Sequence, residues 1–150
     1  MISENINILL ADDDMDDCMF FKDALEEIQL ATQFTAVHDG EQLMHYLNEK
    51  TDELPHVLFL DLNMPRKNGF ACLEEIKSNE KLQSIPVIIL STSFHDDMAN
   101  ELYKNGAHFY ICKPSDFSQL KKLIHKALTF TRQDEHSRIM QPPKEKFLLK

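Results

Sequence analysis

Four short clusters in this chain carry side chains that could do chemistry together: Asp12-Asp13-Asp14, Asp61-Leu62-Asn63-Met64-Pro65, Ser91-Thr92-Ser93 and Lys113-Pro114. Each stands at the end of a short apolar run. Two carboxylates about 4 Å apart repel by roughly 4 kcal/mol at an effective dielectric of 20. If Asp12, Asp13 and Asp61 meet, they therefore require a cation or a raised pKa. One lysine offsets only part of that charge. All-oxygen donors favour a hard ion, and Mg2+ characteristically takes one or two carboxylates and keeps several waters. A carboxylate is also a nucleophile able to form an aspartyl phosphate. The transferring group is metaphosphate-like, so catalysis is mostly positioning and neutralising its oxygens. Mg2+, the Lys113 ammonium and the Ser91 hydroxyl could each take one of them.

Such a site needs elements that deliver all four clusters to one place. Five apolar runs precede or contain them: Ile6 to Ala11, Phe34 to Val37, Val57 to Leu60, Val87 to Leu90 and Phe109 to Cys112. Continuous rather than alternating, they read as parallel strands buried on both faces. The intervening segments have helical spacing, with Cys18, Phe21, Leu25 and Ile28 on one face, then Leu43 and Leu47, then Phe70, Leu73 and Ile76. Met98 with Leu102, and Phe117, Leu120, Ile124 and Leu128, complete the series. Gly40, Gly69 and Gly106 punctuate the junctions, as do Pro55, Pro65, Pro86 and Pro114; Asn105-Gly106 suits a helix C-terminal cap. Asp116 with Gln119 resembles a capping box. Five β-α units in series predict an α/β fold, a parallel sheet wound on both faces, with its crevice at the carboxyl ends of the strands.

Bulk properties narrow the function. At 150 residues, with 43% hydrophobic and 27% charged, the chain is sized for one core and is too apolar for disorder. No apolar run approaches the roughly 18 residues of a membrane span, and Met1 to Asn5 lack the basic start of a secretory signal. Cys18, Cys72 and Cys112 are too scattered for a disulfide framework or a zinc site. The expectation is a cytoplasmic domain without membrane contact. A net charge of -9 with no dense basic stripe argues against nucleic-acid binding. The seven histidines form no ligand-spaced pair and read as solvated side chains.

At this point the residues resemble a family. Ile8 to Asp13, Asp61-Leu62-Asn63-Met64-Pro65 with Gly69, Ser91, and Tyr110-Ile111-Cys112-Lys113-Pro114 are similar to response-regulator receiver domains of two-component signalling. The resemblance covers roughly residues 6–130 and implies a flavodoxin-like sheet of order 2-1-3-4-5. It implies that Asp61 is the phosphoacceptor and that Asp12, Asp13 and Asp61 hold Mg2+ with the backbone carbonyl of Asn63, Asp12 mainly through water. Ser91 would be the switch hydroxyl, Tyr110 the aromatic switch that turns inward on phosphorylation, and Lys113 the phosphate ligand, its bond to Pro114 cis. The donor would be a sensor histidine kinase or a histidine phosphotransfer protein. The output would be a face of the fourth helix, fifth strand and fifth helix acting on a separate downstream protein or a second copy. Serine stands where threonine is commoner, which keeps the hydrogen bond and loosens the rotamer. Asp14 is assigned to capping the first helix rather than to the metal.

Two other readings use the same parts. A receiver-like adaptor that never takes phosphate would usually lack an acid or the lysine, and both are here. Haloacid dehalogenase-like phosphatases share the aspartate, Mg2+, hydroxyl and lysine, but their second acid is replaced by Asn63. The expected layout is a receiver domain over 1–131 and a tail over 132–150, with no separate output domain. In that tail Pro142-Pro143 breaks any helix, and Phe147-Leu148-Leu149 lies among lysines. It is either a flexible terminus or a docking segment for a partner or second protomer.

Overall fold

The computed structural model describes residues 5–50, 52–131 and 140–150. Strands and helices alternate as β1 (Ile6–Ala11), α1 (Met15–Glu27), β2 (Thr32–Val37), α2 (Gly40–Glu49), β3 (Val57–Asp61), α3 (Gly69–Ser78), β4 (Val87–Ser91), α4 (Asp96–Lys104), β5 (Phe109–Cys112) and α5 (Phe117–Thr131). The strands pair in parallel in the order β2-β1-β3-β4-β5. This is the doubly wound, flavodoxin-like arrangement expected from the sequence.

Side-chain alternation along each strand explains the two layers. Leu9 and Ala11 of β1, Leu58 and Leu60 of β3, and Val87 and Ile89 of β4 face one side, with Leu43 and Leu47 of α2, Leu73 and Ile76 of α3 and Leu102 of α4. Ile8 and Leu10, Val57 and Phe59, and Ile88 and Leu90 face the other, against Phe21 and Leu25 of α1 and Leu120, Ile124 and Leu128 of α5. β3 and β4 are buried along their whole length, as continuous apolar runs require when helices cover both faces. Each such side chain contributes about 1.5–3 kcal/mol by leaving water.

The edge strand departs from the expectation. β2 begins at Thr32, two residues before its apolar run, and only Val37 in it is buried. Backbone pairing with β1 extends it: Ile6 aligns with Thr32 and Asn7 with Gln33. An edge strand covered on fewer sides tolerates those polar residues.

Helix ends follow local chemistry. The Asp14 carboxylate accepts from the Asp16 and Asp17 N–H groups and caps α1, as expected for an acid at a helix's positive end. Asp39 and Asn68 cap α2 and α3, and Asp116 accepts from Ser118 N–H at the start of α5. After α4, Gly106 has φ 102°, and Ala107 N–H donates to Leu102 at 3.1 Å. Only a residue without Cβ enters that turn cheaply.

Two expectations are corrected. His108 is not solvated: it is 2% exposed, tilts against Phe130 with ring centroids 5.7 Å apart, and its Nδ1 accepts from Val87 N–H at 3.4 Å. A strand lead-in beside α5 buries whatever side chain stands there, and a neutral imidazole can satisfy a backbone donor. The Lys113–Pro114 bond is trans, since the described residues contain no cis peptide bond. Trans is the default for X–Pro by about 0.5–1 kcal/mol.

Candidate functional site

Because all five strands run the same way, their last residues meet at one edge. Ala11 aligns with Leu60, Asp61 with Leu90 and Ser91 with Cys112. Asp12, Asp61, Ser91 and Lys113 are therefore the closing residues of four adjacent strands, or the residues one step beyond. Gly69 tightens this edge. A Cβ there would lie 2.4 Å from the Asp61 carbonyl oxygen, so only glycine lets α3 start this close to β3.

Asp12 is fully buried and Asp61 is 5% exposed, while Asp13 is open to solvent. Each of the three can bring a carboxylate oxygen within 4.8 Å of the others. Asp12 is firmly held: its Oδ1 accepts from Asp14 N–H at 3.0 Å and its Oδ2 from Lys113 Nζ at 2.8 Å. Its backbone carbonyl meets His38 Nδ1 at 3.2 Å. Burial pushes the Asp61 carboxyl up to about 6; Lys113 and a backbone hydrogen bond from Asn63 pull it down, and Asp12 and Asp13 raise it further. Burial alone would lower the Lys113 ammonium, but hydrogen bonds to Asp12 and Asp17 hold it above the ordinary lysine range.

Lys113 Nζ stands 3.7 Å from Asp61 Oδ1. Its nearer partners are Asp12 and, at 2.9 Å, Asp17 Oδ2. Asp17 was not singled out in the sequence. Its signal was available: it lies four residues after Asp13 and three after the capping Asp14, on the first turn of α1 that begins beside the strand edge. What the sequence does not supply is which way that turn faces.

Ser91 is 1% exposed, and its backbone carbonyl accepts from Lys113 N–H at 2.7 Å. Its Oγ accepts from Ser93 N–H at 3.5 Å. Burial raises the pKa of the neighbouring Tyr110 phenol. The Tyr110 hydroxyl donates to the Ser93 carbonyl. The ring is fully buried, edge-on to Phe94 with centroids 5.0 Å apart. Tyr110 is thus already inward in this structure, rather than waiting outside. Asn63 is exposed two residues past Asp61.

A parallel sheet whose carboxyl edge gathers three acids and a half-buried lysine defines a class. A family profile for the response regulator receiver domain matches residues 8–125, and the chain belongs to that family, which serves two-component signalling. Among its relatives, the "Probable methanogenesis regulatory protein FilR2" of Methanothrix harundinacea is 32% identical over 120 residues, covering 78% of this chain and 77% of that protein. Response regulator Rcp1 of Synechocystis sp. is 30% identical over 121 residues, covering 78% of this chain and 82% of that protein. The structure of the phosphorylated cyanobacterial phytochrome response regulator RcpA superposes with a TM-score of 0.77 at 32% identity, over 85% of this chain and 94% of that one. The Mn2+-bound form of Rcp1 gives 0.75 at 27% identity, over 91% and 99%. Receiver domains bind Mg2+ at an acidic pocket, and the acidic edge described above is consistent with that property. No helix among the described residues is long and apolar enough to cross a membrane.

Proposed function

We propose that this chain is a phosphorylation switch in which Asp61 accepts a phosphoryl group from a sensor histidine kinase or a histidine phosphotransfer protein. The observation that carries the reading is the convergence of the Asp12, Asp13 and Asp61 oxygens within 4.8 Å, with Lys113 Nζ 3.7 Å from Asp61. Three hard oxygen donors facing one partly committed cation suit a divalent ion. Asp12, Asp13, Asp61 and the Asn63 backbone carbonyl would hold Mg2+, which when bound supplies positive charge against the phosphoryl oxygens.

The remaining work belongs to the chain's own groups. An Asp61 carboxylate oxygen attacks phosphorus; the bond from phosphorus to the donor nitrogen breaks and its electron pair stays with the imidazole. Lys113 swings from Asp12 and Asp17 to a phosphoryl oxygen, and Ser91 donates its hydroxyl to another. The added charge of about −2 draws both inward. Ser91 Oγ accepts from Ser93 N–H and the Ser93 carbonyl accepts from the Tyr110 hydroxyl, so that movement is felt on the face of α4, β5 and α5, where a downstream protein would bind. The switch is a two-state equilibrium biased by local charge. The cytoplasm, where such kinases present their phosphohistidine, is the proposed location.

A small phosphodonor with Mg2+ tests this reading. The intact protein should gain one phosphoryl mass, and chelating the metal should abolish the gain. A chain that stays unmodified with Mg2+ present contradicts it.

Asp17 gives a second, quantitative expectation. It competes with the phosphoryl group for Lys113, and a half-exposed charge-assisted contact is worth about 0.5–1 kcal/mol. Asp17→Asn should therefore speed labelling by a small phosphodonor about two- to fivefold. Initial rates equal to or below wild type would remove Asp17 from the mechanism.

A further inference from the structure

Within the C-terminal segment, residues 147–149 lie along the outer edge of β5. Tyr110 forms a parallel bridge with Leu148. Tyr110 N–H donates to the Phe147 carbonyl at 2.8 Å, and Leu149 N–H donates to the Tyr110 carbonyl at 2.9 Å. Upstream, Gln141 Nε2 donates to the carbonyls of Tyr103 and Ala107, each at 2.6 Å, and the Tyr103 hydroxyl donates to the Pro142 carbonyl at 2.7 Å. Phe147 is 4% exposed. Its ring meets Tyr103 of α4 at 5.4 Å and Tyr110 at 6.1 Å, edge-on to both. On the α5 side, Lys126 Nζ donates to the Lys150 carbonyl.

Both backbone groups of Tyr110 are thus committed to the tail, while its hydroxyl donates to the Ser93 carbonyl. The ring packs edge-on with both Phe94 and Phe147, and with both in place it is fully buried. We propose that the outer edge of β5 is a strand-addition site, that residues 141–150 of this chain are its resident occupant, and that occupancy clamps Tyr110 inward. Strand addition supplies main-chain hydrogen bonds for affinity and side-chain pockets for selectivity. Here the pocket between Tyr103 and Tyr110 selects an aromatic residue followed by an extended apolar pair. The clamp stands on these contacts alone; its consequence for signalling rests on the phosphoacceptor reading. If the phosphorylated state favours Tyr110 inward, the same state favours the docked tail, and by linkage the docked tail favours phosphorylation.

Amide hydrogen exchange on the full chain tests the clamp. The comparison is between wild type, Phe147→Ala, which removes the ring, and Leu149→Pro, which removes a half-exposed donor. In wild type the Leu149 amide should exchange at least tenfold more slowly than in a free peptide. The Tyr110 amide should lose at least tenfold protection in both variants while the Leu9 and Phe59 amides keep theirs. A synthetic peptide of residues 141–150 should restore Tyr110 protection in Phe147→Ala. Free-peptide exchange at Leu149, equal Tyr110 protection in all three proteins, or no rescue by the peptide overturns the proposal. Protection that rises with protein concentration also overturns it, because the occupant is then a second copy. With phosphodonor and Mg2+, Leu149 protection should rise at least threefold. If the adduct forms and protection does not rise, the coupling is wrong. If no adduct forms, the phosphoacceptor reading fails, and the clamp is decided by the variants alone.

Discussion

Asp61→Asn is expected to make the protein more stable at neutral pH in metal-free buffer, by on the order of 2–3 kcal/mol. The reason is the environment of the native carboxylate. Asp61 is 5% exposed, and burial together with Asp12 and Asp13 raises its pKa from 3.8 to about 6. The folded chain therefore holds this proton more tightly than the unfolded chain does. The stabilisation is complete below 3.8, falls away as pH rises through 6, and is absent at pH 7. Asparagine keeps the shape and carries no charge, so it escapes the penalty, while Lys113 retains Asp12 and Asp17 as partners. Urea unfolding of both proteins at pH 7 and pH 5 checks this. The advantage of the variant should shrink toward pH 5. A variant less stable than wild type at pH 7, or an advantage that grows on acidification, contradicts it.

Lys113→Ala carries the second large effect. The ammonium sits in a nearly closed position, its side chain 14% exposed, where a preorganised cation is worth far more than in water. Removing one such electrostatic contact typically costs about 100-fold or more in rate. We expect labelling by a small phosphodonor to slow by about that factor. Mg2+ should still bind, because the lysine is not among the proposed ligands; stabilisation of the variant by added Mg2+ reads this directly. Labelling within a factor of three of wild type would take Lys113 out of the phosphate site. Loss of Mg2+ binding would mean that the lysine instead organises the metal ligands.

Much of this was legible in the sequence, for a definite reason. In a parallel sheet the apolar runs are the strands and the residues that follow them share one edge, so the meeting of Asp12, Asp61, Ser91 and Lys113 could be read by following each run to its end. β1, β3, β4 and β5 follow the apolar runs to within a residue. The rest was not legible. The start of β2 was hidden because Thr32 and Gln33 pair through backbone alone. The role of Asp17 depends on which way the first turn of α1 faces. The fate of Phe147-Leu148-Leu149 depends on a pairing with Tyr110 far away in the chain, and no local pattern marks one edge strand as its partner. His108 failed as a solvated residue for a related reason: burial at a strand entrance is set by neighbours remote in sequence. The inward position of Tyr110 depends on Phe94 and Phe147, which its own segment does not reveal.

The acidic pocket as a phosphoryl site is tested most directly by locating the modification. Wild-type protein would be treated with a small phosphodonor and Mg2+, reduced with borohydride to trap an acyl phosphate, and mapped by peptide mass spectrometry. Reduction confined to Asp61, and absent from Asp61→Asn, is the expected result. Reduction at another residue, or the same extent of labelling in wild type and Asp61→Asn, contradicts it.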